Sequence, residues 1–374
     1  MPDSIKVIDL YSGVGGLSLG AVKSGFNLIG AVENDHRILA SHKTNFPRAA
    51  HIAEDVSSLT GKSLASAAQL GTADLAGLIG GPPCQGFSSI GRRNLKDKRN
   101  LLFLDFFRLV SQMQPAFYLA ENVPGILQPQ YSKVRDASSK MVEKDYQILE
   151  PIKIVANDFG AATTRTRIFF IGVRKDIKGA DLLPDLIEKA KSKKPTVVKT
   201  ALVGLPINIS NSWTEYEDSW RPYDSSDFNS YVKSLNRLVN DLGDKMSIDR
   251  FIKEKKISGC FGTLHTMEVT KRFQKLKPGQ QDAVSKAVRL KADGFCPTLR
   301  AGTDNTRGSY QAVRPIHYIK PRVITPREAA RLQGFPDWFQ FHETKWHSFR
   351  QIGNSVCPIV AERVLSAVRM ALSM

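Results

Sequence analysis

Cysteine is scarce in this chain: four in 374 residues (Cys84, Cys260, Cys296, Cys357), far apart and with no C-x-x-C pair. That excludes a disulfide framework and a zinc knuckle and fits a reducing compartment. Long apolar runs are also missing. No stretch reaches ~18 uncharged apolar residues, and the N-terminus carries no basic segment ahead of a long hydrophobic one, so neither a membrane span nor a secretory signal is expected and a cytoplasmic location follows. Acidic side chains are in deficit, 36 against 53 Lys and Arg, for a formal charge of +17. An excess of that size points to a polyanionic partner, with nucleic acid the first candidate. Internal repeats and low-complexity segments are absent. What is present is ample core material, 42% hydrophobic residues, in a length that suits two or three units of roughly 100–200 residues.

The charge is unevenly spread, with +4 over residues 1–173 and +13 over 174–374. In the first part short β-rich runs (5–10, 27–33, 75–79, 116–120 and 168–173) alternate with helical patterns, which predicts an α/β fold with a mainly parallel sheet and helices on both faces. After Arg174 the sequence turns Lys-rich, Pro-punctuated and aromatic through about Tyr318, as expected of a separate module. A helix is predicted to start at Pro326 with Thr325 as its N-cap, and a second amphipathic helix closes the chain over 356–374.

The first strand runs through Asp9 into Tyr11-Ser12-Gly13-Val14-Gly15-Gly16, and helical periodicity follows at once. Glycines there allow a sharp turn and close approach of a ligand to free N–H groups at a helix start. Glu33 ends the next strand, where a carboxylate can accept from both ribose hydroxyls. A dinucleotide fingerprint would place its third glycine at Ser18, and Asp9 would repel a pyrophosphate, so an adenosyl cofactor without phosphates fits better than NAD. Asp55 is a candidate for the adenine amino group or else an ordinary loop carboxylate.

A further strand ends in Gly80-Gly81-Pro82-Pro83-Cys84-Gln85, placing a thiol at the C-terminal edge of the sheet, where open α/β folds bind ligands. Arg92, Arg93 and the cations over 96–99 follow it, and nearby positive charge raises the reactive thiolate fraction. The strand over 116–120 delivers Glu121-Asn122 to the same edge, where a partly desolvated carboxyl group can hold a proton near neutrality and serve as a general acid. Arg165 and Arg167 lie on a third edge, with guanidinium groups suited to a planar carbonyl or a phosphate.

Taken together these residues resemble the DNA (cytosine-5) methyltransferase family of prokaryotic restriction-modification systems. The similarity rests on six motifs in the family's order: Asp9 to Gly16, Gly81 to Gln85, Glu121 to Val123, Thr163 to Arg167, Arg327 to Pro336, and Gly353 to Val356. Thr163 stands where the family usually has glutamine. The resemblance implies a Rossmann-like, S-adenosylmethionine-dependent catalytic domain built from 1–180 and 326–374, with the last helix beside the first strand and a basic target recognition domain inserted over 181–325. It implies a cofactor site of Asp9, Tyr11, Gly13, Val14, Gly16, Glu33, Asn34, Asp55, Val56, Pro83, Asn354, Ser355 and Val356. It also implies covalent catalysis: Cys84 adds to cytosine C6, Glu121 bonds N3 and the amine, and Arg165 holds O2, with Arg167 beside it.

A base inside a duplex must first be flipped out. The five cations between Gln85 and Arg99 are those of a lid over DNA, with Gln85, Ser88, Arg92 and Arg93 as contacts. In the inserted region, 12 basic and 3 acidic residues lie between Lys271 and Arg322, as many phosphate contacts require. Thr298-Leu299 is similar to the family's dipeptide that supports the flipped nucleotide, and Arg300 and Arg307 are candidate base readers or phosphate clamps. The expected partner is double-stranded DNA, with a cognate restriction endonuclease acting on the same site and the enzyme itself a monomer. Three rivals stand beside this reading: a tRNA methyltransferase of the same family, a catalytically silent DNA-binding protein, and an NAD-linked oxidoreductase.

Overall fold

The structure is a computed structural model that describes residues 5–71, 75–83, 101–210, 212–213, 220–302 and 313–374. Its main sheet contains β1 (Lys6–Leu10), β2 (Asn27–Val32), β3 (Ala50–Ile52), β4 (Gly77–Gly80), β5 (Phe117–Asn122), β6 (Tyr146–Ile148), β7 (Ile152–Val155) and β8 (Thr166–Arg174), in the order β3-β2-β1-β4-β5-β8-β6, with β7 also on β8. β1 to β5 are parallel, whereas β8 runs antiparallel to β5 and to both β6 and β7. The five runs expected from composition are all strands. β3, β6 and β7 were not anticipated, because three or four residues are too few to display a period of two. β6 and β7 both pair with β8, which also pairs with β5.

Successive residues of the strands feed two apolar layers. Val7, Phe117, Leu119, Phe169 and Ile171 join one cluster, while Ile8, Leu10, Tyr118, Ala120 and Phe170 join the other. Burial on both faces is why these strands read as nearly continuous hydrophobic runs. After β1 the chain moves outward through β2 and β3, then returns to place β4 on the other side of β1. The reversal leaves a crevice beyond the C-terminal ends of β1 and β4, the usual ligand position in open α/β sheets.

The predicted C-terminal helices form over Pro326–Leu332 and Pro358–Leu372. The first starts with a capping box in which the Thr325 side chain accepts from Glu328 N and Glu328 reaches back to Thr325 N at 2.8 Å. The second packs on the helix Gly16–Lys23, the element after the first strand. Gly20 makes this contact possible, since a Cβ there would lie 2.3 Å from Ala361 Cβ. Between these parts, Leu183, Ile187, Val198, Tyr231, Val232 and Ile257 share the first apolar cluster. Phe273, Ala287 and Ile316 form a small cluster of their own, and Arg221–Pro222 pairs with Lys256–Ile257 as a two-stranded ribbon. Arg331 and Asp337, both fully buried, join by two hydrogen bonds of 2.8 and 2.6 Å, and Arg331 Nη1 also donates to the carbonyls of Ala201 and Val203. Among the described residues no helix is long and apolar enough to cross a membrane.

A Gly20→Val substitution should force these helices apart and lower stability by about 1–3 kcal/mol, the usual range for overpacking; denaturant titration measures it, and an unchanged midpoint would show that the contact is slack.

Candidate active site

A cavity of ≈ 370 Å³ opens at the crevice, lined by the turn after β1 (Asp9, Tyr11, Gly13, Val14, Gly16), by Glu33 and Asn34 after β2, by Asp55 and Val56, by Gly81 to Pro83, by Glu121 and Asn122, by Arg167, and by Asn354 to Val356. Every residue expected at the cofactor site therefore lines one space. The turn is left-handed at Tyr11, Gly13 and Gly15 (φ 55°, 56° and 101°), a conformation glycine adopts without penalty. Gly16 is needed for a different reason: a Cβ there would lie 2.0 Å from Ser355 Oγ and 2.2 Å from the Val356 carbonyl oxygen. The C-terminal segment closes against bare backbone.

Glu33 is fixed by backbone amides. Its Oε2 accepts from Gly13 N at 3.1 Å and its Oε1 from Asp35 N at 2.9 Å, while burial raises its pKa. Asp55 caps the following turn by accepting from Ser57 N at 2.8 Å. Asp9 is fully buried. Its Oδ2 accepts from Ser18 Oγ at 2.5 Å, and its Oδ1 has no hydrogen-bond partner among the described residues. Burial pushes its carboxyl up to about 7. Ser18 in turn meets His42 at 3.0 Å and His42 meets His51 at 2.9 Å, a buried polar chain leading from the cavity toward β3. The two histidines carried no signal in the sequence, where they fall in an ordinary helix and a short strand.

At the other end of the cavity Glu121, the last residue but one of β5, faces Arg167, with Oε1 to Nε at 2.6 Å. The Asn122 side chain donates to the Pro82 carbonyl at 3.3 Å, tying this strand end to the residues that lead into Cys84. Cys84 itself, the lid expected over 85–99 with Gln85, Ser88, Arg92 and Arg93, and Arg307 lie outside the described residues.

The two arginines of β8 and its approach separate. Arg167 lines the cavity, whereas Arg165, 2% exposed, donates to the backbone carbonyls of Leu299, Gly353 and Asn354. Arg165, expected at O2, has its guanidinium on the protein's own backbone and does not line the cavity, because a buried planar fork needs several acceptors and finds them in two chain segments. Thr163 is fully buried in a bridge to Cys296, away from the cavity. Thr298 and Arg300 are exposed, Leu299 is buried, and none of the three reaches the cavity. Arg350, Gln351, Leu102 and Glu54 also line it and were missed. Arg350 and Gln351 precede a recognised motif by only a few residues, which was the available signal.

The chain matches the family model for C-5 cytosine-specific DNA methylases over residues 5–369. It is 37% identical to the type II methyltransferase M.XorII of Xanthomonas oryzae pv. oryzae over 98% of this chain and 84% of that protein. It is 30% identical to the type II methyltransferase M.DdeI of Desulfomicrobium norvegicum over 97% and 88%. Among solved structures, a candidate DNA modification methyltransferase encoded within an E. coli prophage superposes with a TM-score of 0.88 at 47% identity, covering 99% of this chain and 100% of that one. The Dnmt2 methyltransferase of S. pombe shares the fold, with a TM-score of 0.62 at 17% identity over 99% and 98%.

Because the Asp9 carboxyl is more basic folded than unfolded, its contribution favours folding at low pH and is lost as pH rises from about 4 to about 7. Asp9→Asn should therefore gain stability over the native chain across that window, by roughly 2–4 kcal/mol; urea titrations at pH 4.5 and 7.5 measure the difference, and parallel pH profiles would contradict it.

Proposed function

The chain belongs to the C-5 cytosine-specific DNA methylase family and is a DNA cytosine-5 methyltransferase with S-adenosylmethionine as methyl donor; on that premise we propose how its residues divide the work. One observation carries the proposal: the Glu33 and Asp9 carboxylates, the glycine turn, the Glu121–Arg167 pair and Pro83 border a single cavity. The cavity suits the donor. Glu33 uses one direction of each oxygen on a backbone amide and has others to offer a ribose diol, and the unpartnered Asp9 Oδ1 favours a cationic occupant and opposes a pyrophosphate. When bound, S-adenosylmethionine supplies an electrophilic methyl group on a sulfonium and leaves as S-adenosylhomocysteine.

Cytosine C5 is too weak a nucleophile within its aromatic ring, and addition at C6 remedies this. The Cys84 thiolate forms an S–C6 bond while Glu121, protonated, donates to N3. The displaced electron pair makes C5 the nucleophile that takes the methyl group. Loss of the C5 proton to solvent base then re-forms the C5–C6 double bond and expels the thiolate. Arg167 is the guanidinium beside Glu121 and takes the role at O2. Its Nε holds Glu121 Oε1 at 2.6 Å, so the other carboxyl oxygen is the one that presents the proton to N3.

We further assign the catalytic domain to 1–180 and 326–374 and target recognition to 181–325. The target is a specific sequence in double-stranded DNA, whose cytosine is flipped into the cavity at a cost of a few kcal/mol. Gln85, Ser88, Arg92, Arg93, Thr298, Leu299, Arg300 and Arg307 are proposed at the DNA. A monomer in the bacterial cytoplasm, accompanied by a restriction endonuclease for the same site, completes the reading.

Bisulfite sequencing of a plasmid carrying the gene will give the target sequence. On a duplex with 5-fluorocytosine at that position the native enzyme should be trapped covalently and Cys84→Ala should not, whereas Cys84→Ser should lose methylation and keep DNA binding. Transfer of labelled methyl to tRNA alone, or loss of DNA binding in the serine variant, would overturn the assignment. Glu33→Ala removes two hydrogen bonds to the ribose at about 1 kcal/mol each; the KM for S-adenosylmethionine should rise about 10- to 30-fold with kcat little changed, and a fall in kcat alone would place Glu33 elsewhere in the reaction.

A further inference from the structure

The loop that follows Thr298 is fastened to the catalytic half of the molecule from three directions. Arg165 Nη1 donates to Leu299 O at 3.3 Å and to Gly353 O at 2.8 Å, and Nη2 reaches Asn354 O at 3.4 Å. Gly353 lies so close to the loop that a Cβ would sit 2.6 Å from both Ala301 N and the Arg300 carbonyl carbon. Arg314 returns from beyond the loop to donate to Arg300 O at 2.5 Å and Ala301 O at 3.5 Å, with its guanidinium 4.2 Å from the centre of the Phe349 ring. Just upstream, Cys296 is paired on both sides with the segment before β8, through Cys296 N to Ala162 O at 2.9 Å and Thr164 N to Cys296 O at 3.0 Å.

These contacts converge on one helix end. Phe349, Gly353 and Asn354 belong to the helix Lys345–Asn354, and Asn354, Ser355 and Val356 are wall residues of the cofactor cavity. Arg165 therefore spans the two segments: Nη1 donates both to the loop at Leu299 and to the wall at Gly353, and Nη2 to the wall at Asn354. Shifting the loop would strip the Leu299 carbonyl of its donor; shifting the wall would do the same to Gly353. Buried carbonyls do not give up donors cheaply, so displacement of either segment is felt by the other.

We propose that Arg165 is a positioning residue that locks the 298–302 loop in register with the cofactor wall at 353–356, so that selection of the DNA base and affinity for the cofactor are linked. The proposal rests on the reading that this cavity takes S-adenosylmethionine and that the loop faces DNA. Linkage is reciprocal: whatever factor DNA contributes to cofactor affinity, the cofactor returns to DNA affinity. A residue that touched the cytosine would act on kcat; a residue that registers two segments acts on this factor and on discrimination between sites.

The test is calorimetric titration of the full-length enzyme with S-adenosylhomocysteine, with and without a duplex bearing the sequence the native enzyme methylates. The same enzymes are then compared for kcat/KM on that duplex and on one with a single neighbouring mismatch. The native chain should bind S-adenosylhomocysteine at least about tenfold more tightly with the matched duplex. In Arg165→Lys and in Gly353→Ala that factor should fall toward one and discrimination should drop about tenfold. Gly353→Ala adds one methyl and Arg314→Gln loosens the same loop, so these two variants decide the matter if Arg165→Lys melts early. A native factor of one, or an unchanged factor in the variants with kcat alone reduced, overturns the proposal. Failure of the native enzyme to bind S-adenosylhomocysteine at all would sink the cofactor reading, a result distinct from the loss of linkage.

Discussion

The architecture of the site hangs on the meeting of Gly16 with the Ser355 side chain and the Val356 backbone. A glycine at the start of a helix has no side chain to hold off the segment 355–356, and the Val356 carbonyl oxygen comes within what would be 2.2 Å of a Cβ. Residues separated by some 340 positions thereby become two walls of one cavity. The first wall carries Asp9, Glu33 and the left-handed turn; the second carries Asn354 to Val356 with Arg350 and Gln351 just before them. The Gly20–Ala361 contact one turn further along repeats the device, there against the C-terminal helix itself. The second wall comes close because Gly16 and Gly20 lack side chains at these two contacts.

Polar groups in dry surroundings do the remaining alignment. Arg327 donates to the carbonyls of Ser258, Pro336 and Phe339, and Arg331 binds Asp337 and two carbonyls after the helix at Val198. Such groups add little net stability, because desolvation offsets much of the attraction, yet a misplaced partner leaves a buried charge unpaired and the arrangement is therefore specific. Arg165 obeys the same rule with carbonyls for partners. Asp9 is the exception: Oδ2 accepts from Ser18 while Oδ1 is buried without a hydrogen-bond partner among the described residues, and burial raises the carboxyl to about 7.

Much of the site was legible from the residues. Glycines at 13, 15 and 16 after an apolar strand, an acid at the end of the next strand, and a Gly-Pro-Pro-Cys edge each announce a local geometry, and local geometry is what short motifs encode. Where the reading went astray, the deciding contacts lay far away in the chain. Arg165 and Arg167 are chemically identical and two residues apart; only the distant carbonyls at 299, 353 and 354 draw one out of the cavity, while Glu121 at the end of β5 holds the other inside it. The polar chain through Ser18, His42 and His51 was invisible for the same reason, since it joins a helix start, a helix end and a three-residue strand.

By itself the sequence determined the strand–helix alternation, the residues offered at the C-terminal edge of the sheet and the sign of the molecule's charge. These follow from periodicity, backbone freedom and side-chain ionisation, which neighbours in the chain settle among themselves. Tertiary structure alone decided which of two arginines faces the cavity, which acid is left half-satisfied, and how the loop after Thr298 is tied to the cofactor wall. Those outcomes depend on burial and on partners hundreds of residues away, and neither is a property of any window of sequence.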